Sequence, residues 1–170
     1  IRLQSRSTIR RLCLLILQLI LPKQMELESL FPIVYHEFDE NGDTLRIEDL
    51  DLKVFPVVHG SIHCFGCEIL SAGKKFVYSA DSEPCDNIYH GLKDGDILIH
   101  ECNSLTDKIN PGHTTWFQLK KIIPDLPKIN IYLVHIPDMD EGFEEKTKRL
   151  LEDEFNGRVT LASDMQSIEI

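Results

Sequence analysis

The sequence predicts an α/β fold, a mixed β-sheet with helices packed outside it. Three observations carry this. Short apolar, β-branched runs recur along the chain: VFPVVH, KFVYSAD, DILIHE and IYLVHIP. In the first half they flank the turn signals Asn41-Gly42 and Ala72-Gly73, as hairpin strands do. In the second half they alternate with helical segments, the arrangement that joins parallel strands.

Each element follows from its own pattern. Residues 7–21 read as a helix with Ser7 or Thr8 as N-cap and Pro22 as its stop. Its core, Leu12–Leu21, is almost wholly apolar and follows two arginines, like the centre of a signal peptide. Ten residues cannot span a bilayer, and no small-x-small cleavage site follows, so it is read as a buried helix. Residues 22–31 form a connector and 32–38 a strand that turns at Asn41-Gly42. Residues 45–59 alternate at first and then become continuously apolar, which predicts one strand, half-buried at its start and covered on both faces at its end. Residues 62–70 and 74–80 form a hairpin around Ala72-Gly73, and 84–92 a loop with a short helix. DILIHE (96–101) and IYLVHI (131–136) are buried strands, with a helix starting near Thr114 between them. Residues 141–155 form an amphipathic helix whose apolar face is Phe143, Leu150, Leu151 and Phe155. Gly157 ends it, and RVTLASD leads to a last strand, SIEI.

The chain has 170 residues, 42% hydrophobic and 27% charged, the size and composition of one globular domain. A net charge of −10 repels nucleic acid, so contact with it needs metal ions or a local basic patch. Five cysteines without regular spacing argue for a reducing compartment, and a cytoplasmic location is expected. Cys64 and Cys67 form a CxxC, but there is no second pair for a structural zinc site. The pair also sits in a strand, whereas a redox CxxC opens a helix.

The functional signal lies where the apolar runs end. His59, Asp81, His100-Glu101, His113 and His135 each close or adjoin one of them. A chain that repeatedly places His or Asp at the end of a buried strand assembles a polar site on one edge of its sheet. Several imidazoles and carboxylates together suit zinc, iron or manganese better than a lone acid or base. Any one of these histidines alone is as well read as a satisfied polar residue; the weight is in the order.

That order resembles the metallo-β-lactamase superfamily, and within it the ribonuclease Z-like branch. FPVVHGSIHCFG resembles the family's V-x-H…G segment, VYSADS its SGDT segment, LIHEC its HEAT segment and PGHTT its HST segment. YLVHIP resembles the segment of the last metal-binding histidine, and ASDMQSIEI the closing strand. The match covers 31–170, with 1–30 as a helical lead-in to a single domain, 1–170. The resemblance implies an αββα sandwich and a hydrolase, chiefly of phosphodiester bonds, using two metal ions, zinc or alternatively iron or manganese. By position, His59 would bind the first metal, with His63 as the alternative; Asp81 would bridge both; His135 would bind the second. His113 would donate a proton to the leaving group, oriented by Glu101. The expected partners are a phosphodiester or small-molecule substrate, RNA included, with no membrane and a homodimer as the assembly.

Two departures qualify this. The family's HxHxDH hallmark is absent, as is any HxH. The chain is therefore read as the C-terminal part of an incomplete domain, expected to bind metal weakly and to be inactive alone. The interval between His59 and Asp81 is compact and the chain acidic, which favours a generic hydrolase over transfer-RNA processing. The alternatives are a degenerate non-catalytic relative and a same-fold hydrolase of thioesters or other acyl substrates.

Overall fold

A computed structural model describes residues 38–47, 50–136, 151 and 153–168. The chain divides into two compact units, 1–37 with 165–170, and 38–164. The second unit carries every element described here. The expected helix at 7–21 and strand at 32–38 fall almost wholly outside the described residues, as does most of the helix at 141–155.

Residues 38–164 build one seven-stranded sheet in sequential order. β1 (Asp43–Ile47), β2 (Leu50–His59), β3 (Ile62–Ser71) and β4 (Lys74–Tyr78) are joined antiparallel, and β5 (Ile97–Glu101), β6 (Asn130–Val134) and β7 (Val159–Leu161) continue parallel to β4. The mixed sheet agrees with the sequence reading. No second sheet is present among the described residues.

Two local expectations change. Residues 45–59 are not one strand: Ile47 pairs with Leu50, so the chain reverses into a β1–β2 hairpin. The alternation breaks here at two successive polar residues, Glu48-Asp49, but no Gly, Pro or Asn marks the reversal. The last strand among the described residues is VTL; of the expected strand SIEI, residues 167–168 belong to no strand and 169–170 lie outside the described residues. The turn at Ala72-Gly73 is as expected, with both residues at positive φ (50° and 79°), the geometry that matches strand twist.

Burial follows topology. β5 is buried along nearly its whole length, as a parallel strand covered on both faces must be. Val77, Leu98, Ile131, Leu133 and Val159 from four neighbouring strands share one apolar cluster. Short helix α1 (Asp86–Tyr89) contributes Ile88, and α2 (Trp116–Ile122) contributes Trp116 and Leu119. α2 opens on a capping box: Thr115 accepts from the Gln118 amide and Gln118 answers to the Thr115 amide. Leu151 enters the same cluster and Phe155 packs edge-on against Trp116, so the described end of the 141–155 segment buries the face expected of it.

Candidate metal centre

The site forms beyond the ends of β2, β4, β5 and β6, where the apolar runs stop. After Tyr78 the chain leaves β4 through Ser79 and Ala80, and Ala80 takes a left-handed conformation (φ 53°). This corner turns Asp81 out of the strand direction. His135, just past β6, is also left-handed (φ 55°). Left-handed backbone at non-glycine residues is strained, and such strain gathers at functional sites. The two side chains meet: His135 Nε2 lies 3.7 Å from Asp81 Oδ2.

Glu101 ends β5 fully buried. Its Oε1 accepts from the amides of Ser82 (2.9 Å) and Thr114 (3.1 Å) and from His113 Nδ1 (3.0 Å), while Oε2 accepts from the Asn103 amide (2.9 Å). Burial pushes its carboxyl above the ordinary range; the bonds from Ser82, Thr114 and His113 pull it back. A carboxylate can only accept, so His113 carries a proton on Nδ1, and Nε2 is left out of the bond to Glu101. The expected Glu101–His113 pairing is therefore present.

His59, at the end of β2, is held by a different partner: its Nδ1 lies 2.6 Å from the Gly112 carbonyl oxygen. Its ring meets that of His113 edge-on at 4.8 Å, and His113 stacks on His135 at 5.4 Å. All five residues expected at the site thus lie in one linked group. His63 does not join it; it is exposed on β3 opposite Val58. His100 is separate too. It is fully buried, donates from Nδ1 to the Glu101 carbonyl (2.7 Å) and accepts at Nε2 from the Tyr89 hydroxyl (2.9 Å). Burial lowers its pKa to about 4, so it is a neutral core residue.

The closest set of ligand atoms is Asp81, His113 and His135, all within 4.8 Å of one another. One carboxylate and two imidazoles are a donor set zinc accepts. Two ligands each about 2.1 Å from one zinc ion are at most about 4.2 Å apart. The Asp81–His135 pair is already inside that span, and the full set is close to it. The Asp81–His135 pair by itself fits one metal ion, with His113 beside it. The grouping differs from the sequence reading in one respect: His113, expected to donate a proton, stands nearer the Asp81–His135 pair than His59 does.

Some residues that shape the site carried no signal in the sequence. Ser82 and Thr114 bind Glu101 through their amides, and the Thr114 hydroxyl ties back to the Ser82 carbonyl at 2.7 Å. Glu83 accepts from the Gly112 amide at 2.8 Å. Ser82 and Thr114 lie within the ADS and GHT segments and Glu83 follows the first, and that placement is their only trace in the sequence. Cys64 and Cys67 remain free thiols on β3, and burial raises the pKa of both, that of Cys67 to about 11. Neither is a ready nucleophile.

A family model described as a beta-lactamase superfamily domain matches residues 15–136. The chain belongs to that superfamily, one of metal-dependent hydrolases. It is 28% identical over 103 residues to the probable metallo-hydrolase YhfI of Bacillus subtilis, covering 59% of this chain and 41% of that protein. It is 41% identical over 61 residues to the zinc phosphodiesterase ELAC protein 2 of Rattus norvegicus, 34% of this chain and 7% of that protein. It is 24% identical over 102 residues to ribonuclease Z of Myxococcus xanthus, 58% of this chain and 33% of that protein. The chain thus spans less than half the length of these relatives. The crystal structure of YhfI, a metallo-beta-lactamase fold protein, superposes with a TM-score of 0.60 at 23% identity, covering 74% of this chain and 52% of that one. The fold is that of the metallo-β-lactamases.

Proposed function

We propose that the protein carrying this chain hydrolyses phosphodiester bonds at a two-zinc centre, with Asp81 bridging the metals, His135 on one and His59 on the other. The observation that carries the reading is the pairing of His113 with the buried Glu101, with a ring nitrogen of His113 within 4.8 Å of the ligand atoms of Asp81 and His135. The metal pair, when bound, supplies Lewis acidity that stabilises charge on the phosphate oxygens. His113, as the doubly protonated imidazolium, would give the proton on Nε2 to the departing oxygen, which would otherwise leave as a poorly stabilised alkoxide, and would be left as the neutral Nδ1–H tautomer. Glu101 holds the imidazole in the tautomer and orientation this needs, and compensates its charge. The named activities of ELAC protein 2 and ribonuclease Z support this substrate class, RNA included.

The test is metal-dependent hydrolysis of bis-p-nitrophenyl phosphate against p-nitrophenyl acetate by the complete protein. The phosphodiester is cleaved preferentially, and His113→Ala lowers kcat by about 10²- to 10⁴-fold with zinc content unchanged. Preferential acetate cleavage, or a His113→Ala enzyme of full activity, would contradict the reading.

A further inference from the structure

Glu83 is a charged, partly buried residue beside the site that the proposed chemistry does not use. Its amide donates to the Val58 carbonyl at 2.7 Å, which pins the segment after Asp81 against the end of β2. Its Oε1 accepts from the Gly112 amide at 2.8 Å. On the other side of the same residue, the Gly112 carbonyl faces His59 Nδ1 at 2.6 Å. A carbonyl oxygen can only accept, so His59 carries its proton on Nδ1 and keeps a lone pair on Nε2.

Gly112 suits this place for two reasons. Its φ is 87°, and a Cβ there would meet His59 Nδ1 at 2.9 Å. The loop therefore comes as close to His59 as backbone can, and only glycine permits it. The residue that follows is His113, whose amide donates to the Asn110 carbonyl at 3.0 Å. Gly112 thus joins the two histidines, and Glu83 is the group that grips it.

We infer that Glu83 is a positioning residue: by holding Gly112 it keeps His59 in the Nδ1–H tautomer, with Nε2 free to ligate, and sets His113 beside it. The value of this tautomer for metal binding rests on the proposed function; the tautomer itself does not. Partners that fix the far nitrogen of a ligating histidine are worth about 10- to 100-fold in metal affinity.

The experiment reads imidazole nitrogen shifts by NMR in metal-free, 15N-labelled protein, together with exchange of the Gly112 amide. His59 is Nδ1–H in the wild type and in Glu83→Gln, whose amide oxygen accepts the same bond. In Glu83→Ala the Gly112 amide exchanges about tenfold faster, His59 shifts toward Nε2–H, and zinc affinity falls about 10- to 100-fold. A wild-type His59 in the Nε2–H form overturns the inference without any variant, which covers the case of Glu83→Ala failing to fold. A folded Glu83→Ala protein with wild-type shifts and exchange overturns it equally. His59→Ala separates the two readings: unchanged zinc affinity there removes His59 from the metal centre, while the tautomer result still decides the role of Glu83.

Discussion

Glu101 shows how a single residue can be both a structural and a chemical part. Its carboxylate gathers three backbone amides from the segments after β4, after β5 and before α2, and with its remaining capacity it orients His113. Both oxygens accept, so a side-chain amide cannot replace it without setting one donor against another. Glu101→Gln is predicted to destabilise the protein by about 2 kcal/mol, read by urea unfolding of the metal-free form; unchanged stability would show that the amides have other partners. The adjacent His100 looks equivalent in the sequence, but strand alternation sends it to the opposite face, against Tyr89. The His-Glu pair was legible as a site marker. Which of its two members enters the site was carried by the resemblance, and the pleat supplies the physical reason.

At the scale of elements, the strand ends were legible because each apolar run stops abruptly at a ligand-type residue. The β1–β2 reversal was marked only by the successive polar residues Glu48-Asp49, which interrupt the alternation of LRIEDLDLKV without the Gly, Pro or Asn that signals a turn. β7 was not legible, since three residues of VTL give no periodicity to read. The long-range grip of Glu83 on Gly112 has no local signature at all. One corner keeps a trace of the family pattern: where SGDT-type segments carry glycine, this chain has Ala80 at φ 53°. A side chain in that region is disfavoured by roughly 1 kcal/mol. Ala80→Gly is expected to raise stability by up to about 1 kcal/mol, less the added freedom of the unfolded chain, with Asp81 in place. A loss of stability in thermal unfolding would mean that the Ala80 methyl makes packing contacts that outweigh the strain.

Across the whole molecule, the buried His100 links stability to pH. Its folded pKa, about 4, lies below the ordinary 6.5, so between those values the unfolded chain binds the proton more readily. The contribution of neutral His100 is complete above pH 6.5 and is lost as pH falls through the window, amounting to roughly 3 kcal/mol near pH 4. Urea unfolding from pH 8 to 5 reads the slope, and His100→Gln, which cannot be protonated, flattens it. An identical slope in that variant would place the linkage elsewhere. The charge of −10 acts at the same scale. An RNA substrate, if the proposed function holds, would meet a repelling surface on this chain, so its binding is expected to collapse on chelation more completely than general folding does.

Strand ends far apart in sequence converge on one group of residues, the proposed metal centre. A zinc-edge anomalous difference map from crystals of the zinc-loaded complete protein tests it most directly. A peak is expected about 2.1 Å from a carboxylate oxygen of Asp81 and an imidazole nitrogen of His135, with a second zinc also on Asp81 and ligated by His59 Nε2. Zinc at Cys64 and Cys67, or full occupancy with Asp81 and His135 unliganded, would contradict it.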